Sequence, residues 1–323
     1  SNDVRYRLFG AFSNPDLVRG DNNQLIERPY LTEYCARDLV ALERRAAAWI
    51  PKLKELQSFY EMRGHHFLYL ITPSKAAHLP EVFVHRVPCA SRERDRKEWL
   101  TRYDRLLAEA GVPYLDLASL THGLKDHYRV SLFPVGGVHW NMLGVAHAAD
   151  ALAAKINELA GRNVASKFTW SYENSDTPTG LDRDLADLVN VNFFQTMRYP
   201  APIVTFRSES PCATAKTSDP RIGMVGGSFN PPLARVLARF GCLGGLRFYN
   251  YLFLDVFGGP DYQRITFRPS REELLELRDM DFVMLEENES SIAASGHAAA
   301  FHRLVTGAPE TSSAPDSAKR QQR

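Results

Sequence analysis

"RIGMVGGSFNPPLARVLARFG" (221–241) changes character in its middle. A short apolar run reads as a strand, Gly226-Gly227 turn the chain, and "PLARVLARFG" reads as a helix. The same alternation recurs on either side. "HHFLYLIT" (65–72), apolar, aromatic and ended by Pro73, reads as a buried strand. Arg92 to Gly111 reads as an amphipathic helix, "VPYLDL" (112–117) as a strand, 142–161 as an Ala- and Leu-rich helix, and "DFVMLEENES" (281–290) as a strand followed by acidic residues. Strands and helices alternating over short connections imply an α/β fold with a mostly parallel sheet flanked by helices.

Other segments are read from pattern in the same way. Leu39, Leu42, Ala46, Ile50, Leu53, Leu56 and Tyr60 recur three or four apart, which predicts a long helix from Tyr30 to about Arg63, bent or restarted at Pro51. Residues 1–30 are polar and turn-rich. Residues 162–220 are less periodic and read as long loops, a lid or a substrate wall. One domain, 1–305, is expected, followed by a low-complexity, disordered tail over 306–323.

The chain has 323 residues, 44% hydrophobic and 24% charged, enough to bury a sizeable core unaided. Its 39 basic and 38 acidic residues balance to +1, so nothing points to nucleic acid or an anionic membrane as partner. Arg92, Arg94, Arg96 and Lys97 alternate with Glu93, Asp95 and Glu98, the pattern of a solvated helix face. Cys35, Cys89, Cys212 and Cys242 lack CxxC spacing, so no metal is expected; one or two disulfides are allowed, with no pairing assigned. No apolar run reaches the ~20 residues of a membrane-spanning helix. The chain opens on Ser1-Asn2 without an initiator Met, and a targeting segment ahead of it is expected to have been removed.

Ser228 sits on the glycine turn after a strand, where a parallel sheet collects its ligands. Glycines there let a substrate approach the backbone, and the amides of the turn can hold an oxyanion. Neither GxGxxG nor GxxxxGK[ST] is present, which disfavours a nucleotide, and no cofactor is expected. The alternative is a plain strand-to-helix turn. "VGGVHWNMLG" (135–144) places His139 beside Trp140 after two glycines, either as a structural histidine or as a base. A nucleophilic serine needs such a base, so the two stretches support each other.

The order "YLITPSK" (69–75), "GGVHWN" (136–141), "VGGSFN" (225–230) and "DFVMLEENE" (281–289) resembles the alginate O-acetyltransferase family, AlgJ/AlgX-like, within the SGNH-hydrolase-like superfamily. "DNNQLIERPYLTEYC" (21–35) resembles the family's opening segment, and "TGLDRDLADLV" (179–189) a stretch between its histidine and serine motifs. The resemblance implies an SGNH-hydrolase-like fold with a circularly permuted motif order, histidine before serine. It carries the family serine onto Ser228 and the family histidine onto His139. The family's Asp-x-His-Trp has Gly137 at its acid position here. The acid is then expected from elsewhere, from Asp176, Asp126, Glu286, Glu287 or Glu289, or a backbone carbonyl orients the ring.

The implied activity is O-acetyl transfer to a polysaccharide hydroxyl through an acetyl-serine, with esterase side activity. Gly227, Phe229 and Asn230 are the oxyanion and substrate candidates beside the serine, and Trp140, Asn141 and Lys75 those beside the histidine and the first strand. Apart from the resemblance, Lys75 reads first as a surface lysine. Tyr249, Tyr251 and Phe253 in "RFYNYLFLD" are either a sugar-stacking wall or core, with period-2 spacing placing both tyrosines on one face. "LEENE" (285–289) is either site or solvated strand end. The resemblance further implies an extracytoplasmic, periplasmic setting, anchoring at the inner membrane through a removed N-terminal segment, and an acetyl group passed by a membrane-bound O-acyltransferase. Two other functions remain open: a glycan-binding or scaffold component that has lost catalysis, for which Gly137 speaks, and an acetyl esterase.

Overall fold

A computed structural model describes residues 12, 14–189, 191–209, 212, 220–259 and 261–307. The tail expected over 306–323 falls outside these residues beyond Gly307, and the last described helix, Gly296–Thr306, runs into its first position.

Seven strands form the central sheet in the order β10-β9-β8-β7-β11-β3-β4. They are β3 (His66–Thr72), β4 (Tyr114–Asp116), β7 (Ile222–Gly226), β8 (Leu246–Asn250), β9 (Asp255–Gly258), β10 (Gln263–Phe267) and β11 (Phe282–Asn288). Five are parallel, β8-β7-β11-β3-β4, and β9 and β10 extend the edge antiparallel. The sheet is therefore the mostly parallel one that the alternating pattern implies. Its last strand, β11, is inserted between β7 and β3, so the carboxyl ends of segments far apart in sequence meet at the centre.

Both faces of the sheet are covered, which is why its strands read as continuous apolar runs. Leu68, Leu70, Met224 and Met284 point to one face, under the helices Met142–Ala160 and Pro231–Arg239. Phe67, Tyr69, Ile71, Val225 and Leu285 point to the other, under Leu39–Glu61, Glu93–Glu109 and Gly296–Thr306. A small hairpin, β1 (Leu17–Arg19) and β2 (Leu25–Glu27), precedes the first helix. No helix among the described residues is long and apolar enough to cross a membrane.

Several expectations are corrected. The helical stretch from Tyr30 is two helices, Arg28–Cys35 and Leu39–Glu61, broken before Asp38 and not at Pro51. Asp38 caps the second by accepting from the Ala41 amide (2.8 Å), while Pro51 lies inside it, held by the buried neighbours Ile50 and Leu53. The span 162–220 is not all loop: β5 (Phe168–Ser175) and β6 (Ala201–Ser208) pair antiparallel over eight residues. Most of the β5 side chains are exposed, so its apolar signal is weak. "LEENE" is no solvated strand end, since Glu286, Glu287 and Glu289 are all buried. The cysteines pair as Cys35–Cys89 and Cys212–Cys242.

Candidate active site

Ser228 follows β7 at the carboxyl edge of the sheet, and a chain of contacts leads away from its hydroxyl. Ser228 Oγ lies 2.9 Å from His139 Nε2. His139 Nδ1 in turn meets Asp184 Oδ2 in a short hydrogen bond. Asp184 opens the short helix Asp184–Leu188, and its other oxygen accepts from the amides of Val138 (2.9 Å) and Leu185 (2.7 Å). The helix is tied to the histidine loop by Ala186 N–H donating to Gly136 O (2.8 Å). With Nδ1–H given to the carboxylate, Nε2 presents its lone pair to the serine hydroxyl.

Asp184 therefore occupies the role for which Asp176, Asp126, Glu286, Glu287, Glu289 and a backbone carbonyl were candidates. Asp176 is exposed beside Arg198, and the three glutamates bond elsewhere. At Gly137 no acid fits. A Cβ there would collide with the Leu181 carbonyl, approach Pro134 Cγ to 2.9 Å, and reach 3.2 Å from Asp184 Oδ1. The Asp184 carboxylate, carried on a facing helix, fills the space beside Gly137. Its only sequence signal is the acid-rich "TGLDRDLADLV". Of its acids, Asp187 pairs with Arg183, and Asp182 is buried, with burial and the Asp184 charge raising its pKa to about 7.

The other candidates sort by geometry. The Gly227 amide donates to Glu286 Oε2 (2.8 Å), so it is not free for an oxyanion. Glu286 also accepts from Thr72 Oγ1, and the Asn230 amide lies against it; Asn230 is fully buried beneath the turn and does not face substrate. Burial raises the Glu286 pKa and these donors oppose it. A Cβ at Gly226 would collide with Asn230 and come within 2.7 Å of Glu286 Oε2, which is why glycine stands there. Phe229 is buried and packs its ring on His139 at 4.7 Å between centroids.

Trp140 is buried and is no sugar wall; its indole N–H donates to Phe229 O (3.0 Å), tying the histidine motif to the serine motif. Asn141 caps the Met142–Ala160 helix by accepting from the amides of Leu143 (3.1 Å) and Gly144 (3.2 Å). Lys75 is neither on the surface nor at substrate. It is buried, and its ammonium donates to Leu25 O (2.7 Å), Pro134 O (2.5 Å) and Gly137 O (2.7 Å), bracing the loop that carries His139.

The two tyrosines do not share a strand face. Tyr249 ends in the core and Phe253 is exposed, because β8 stops at Asn250. Tyr251 then adopts a left-handed backbone (φ 46°), held by its amide donating to Gly226 O (2.7 Å). This lays the ring over Gly227 and brings its hydroxyl 3.3 Å from Ser228 Oγ. The Ser228 amide also meets that hydroxyl, and burial raises the Tyr251 pKa. Among the described residues, no group of three or more His, Cys, Asp or Glu is placed to hold a metal.

The sequence model of the AlgX acetyltransferase SGNH hydrolase-like domain matches residues 31–237, a span that includes His139, Asp184 and Ser228. The chain belongs to this AlgX-type family. The fold is shared with the O-acetyltransferase domain of Pseudomonas putida AlgJ, at TM-score 0.55 and 16% identity, over 91% of this chain and 100% of that one. It is also shared with AlgX of Pseudomonas aeruginosa, at TM-score 0.54 and 14% identity, over 94% of this chain and 70% of that one. No curated protein matches the sequence. Within the AlgX-type fold, the histidine loop precedes the serine turn in the chain, the permuted order that the motifs imply.

Proposed function

We propose that this AlgX-type protein is an O-acetyltransferase in which Ser228 is the nucleophile, His139 the base and Asp184 the group that orients it. The carrying observation is the continuous contact from Ser228 Oγ through His139 to Asp184. His139 Nε2 takes the Ser228 proton as Oγ attacks an acetyl carbonyl. The Gly227 amide is committed to the Glu286 carboxylate, so the tetrahedral oxyanion draws on the Ser228 amide and the Tyr251 hydroxyl, which meet each other in the resting site and part to receive it. Collapse breaks the acyl–oxygen bond of the donor, whose oxygen leaves with the proton from His139. The acetyl-serine is then attacked by a polysaccharide hydroxyl that gives its proton to His139, and the proton returns to Ser228 as the sugar ester departs.

The same residues serve an acetyl esterase if water replaces the sugar, and only acceptor preference separates the two. The scaffold reading rested on glycine at 137, and an acid at Asp184 removes that argument. Two disulfides support an oxidising, extracytoplasmic setting. Delivery of the acetyl group by a membrane-bound O-acyltransferase, and anchoring at the inner membrane, belong to the same proposal.

The test is intact and peptide mass spectrometry after exposure to a chromogenic acetyl ester. An acetyl group on Ser228 is expected, absent in Ser228→Ala and strongly slowed in His139→Ala. Equal background in all three proteins refutes the enzyme reading and leaves glycan binding as the leading one.

A further inference from the structure

The turn that carries the nucleophile has little stiffness of its own. Gly226 and Gly227 lead into Ser228, and a glycine backbone is the least restricted of any residue. The contacts that keep side chains off these glycines are the ones that grip the turn. A Cβ on Gly226 would come within 2.7 Å of Glu286 Oε2, and one on Gly227 within 3.1 Å of the Tyr251 ring.

Glu286 acts on both grips. It stands in β11 just beyond the apolar run 282–285, and it is buried. Its Oε2 accepts from the Gly227 amide (2.8 Å), and its Oε1 from Thr72 Oγ1 on the neighbouring strand β3. Asn288 Nδ2 donates to the same threonine oxygen (3.3 Å), so the carboxyl group is held from its far side. The main chain of Glu286 serves Tyr251. Glu286 O accepts from His297 Nε2 (2.7 Å), and the His297 ring stands edge-on to the Tyr251 ring, 5.7 Å between centroids. Ser295 Oγ meets His297 Nδ1 (2.8 Å) and fixes the imidazole from the other end.

These contacts decide which amide serves the oxyanion. With its N–H turned to Glu286, Gly227 is withdrawn as a donor, and the next N–H, that of Ser228, meets the Tyr251 hydroxyl. Loss of the Glu286 oxygen would free the peptide plane that leads into the nucleophile, and two glycines would let it turn.

Resting on the acetyl-transfer reading, we infer that Glu286 is a positioning residue of that reaction, fixing the glycine turn so that the Ser228 amide and the Tyr251 hydroxyl converge on the oxyanion. Glu286 acts through the turn and touches neither donor nor acceptor, so its effect falls on the transition state and not on substrate binding.

The experiment measures three quantities: the single-turnover rate of Ser228 acetylation by a chromogenic acetyl ester, the half-saturating ester concentration, and the affinity for methylboronic acid. The tetrahedral boronate on a serine places a charged oxygen where the oxyanion forms. Glu286→Gln keeps an oxygen for the Gly227 amide and should stay within about threefold of wild type in all three. Glu286→Ala removes that oxygen and should lower rate and boronate affinity in parallel by about 10²-fold, with half-saturation moved by less than about threefold. Glu286→Asp draws the acid back by one methylene and should lose about tenfold or more in the same two quantities, which keeps the test open if the alanine variant does not fold. The control is Glu287→Gln, at the neighbouring buried carboxyl, which accepts from the Tyr69 hydroxyl (2.7 Å) and the Ser295 amide (3.1 Å). It should lower the unfolding midpoint and leave the three quantities within about threefold. Wild-type rate and boronate affinity in folded Glu286→Ala or Glu286→Asp, a loss confined to half-saturation, no rescue by glutamine, or an equal loss in Glu287→Gln overturns the inference while acetyl transfer stands. A wild-type protein that forms no acetyl-Ser228 refutes the acetyl-transfer reading itself, and the inference with it.

Discussion

Asp184→Asn is the sharpest test of the site, because it changes chemistry and leaves shape. The Asp184 oxygen that accepts from the Val138 and Leu185 amides is retained as the Asn carbonyl, so the short helix and the histidine loop stay joined. The other oxygen, now facing His139 Nδ1, becomes an NH₂ donor. Nδ1 must then accept, the ring proton moves to Nε2, and Ser228 Oγ at 2.9 Å loses its proton acceptor. In a serine protease this wrong tautomer lowers kcat by about 10⁴, and a similar loss, about 5.5 kcal/mol of barrier, is expected here. The assay is the single-turnover release of chromophore from an acetyl ester, with acetylation of Ser228 followed by mass. Asp187→Asn, which alters only a surface pair with Arg183, serves as the control and should stay within a few-fold of wild type. Placing the acid back at the family position will not rescue the loss. In Gly137→Asp/Asp184→Asn the new Cβ meets the Leu181 carbonyl, so the double variant should stay inactive and lose about 1–3 kcal/mol of stability. A loss below tenfold in folded Asp184→Asn, or full rescue by Gly137→Asp, would refute the assignment of Asp184.

Three further outcomes follow from the same contacts. Tyr251→Phe removes the hydroxyl 3.3 Å from Ser228 Oγ and should slow acetylation of the serine by about 10²-fold with the melting temperature little changed, as read by stopped-flow kinetics and calorimetry. Lys75→Met leaves three buried carbonyls without their donor and should cost about 3 kcal/mol or more in denaturant unfolding. His297, half-buried beside Tyr251 and donating to Glu286 O (2.7 Å), has its pKa pulled by desolvation from an ordinary 6.5 to about 4. Between those values the unfolded chain binds the proton that the folded one refuses, so stability due to this residue is present above pH 6.5 and falls on acidification. Against His297→Gln, wild type should lose about 3 kcal/mol between pH 7 and pH 4, measured by urea unfolding across that range.

How much of this was legible before folding depends on the range of the signal. The strand over 65–72, the strand–turn–helix around Ser228 and the glycine-ended helix over 142–161 each carry their information in neighbouring residues, and each stands close to its expected bounds. The break between the first two helices was misplaced because Pro51 is a louder local signal than the Asp38 cap, yet tertiary packing holds the helix through the proline. The β5–β6 pair was missed because exposed polar side chains along β5 blur the alternation. Around Tyr251, period 2 was the wrong ruler, since the strand ends one residue earlier and the backbone turns left-handed.

The sequence by itself determined the α/β class, the permuted order of the motifs, and Ser228 and His139 as the pair to examine, because glycine turns, apolar periods and a His-Trp motif are local properties. The tertiary structure decided everything that needs two distant segments to meet. It brought an aspartate 45 residues along the chain to His139, set Glu286 under the turn from 59 residues beyond Gly227, and buried Lys75 as a brace. Asp184 can serve although residue 137 is glycine, because hydrogen-bond geometry at His139 Nδ1 requires a carboxylate at one point in space, whichever part of the chain delivers it.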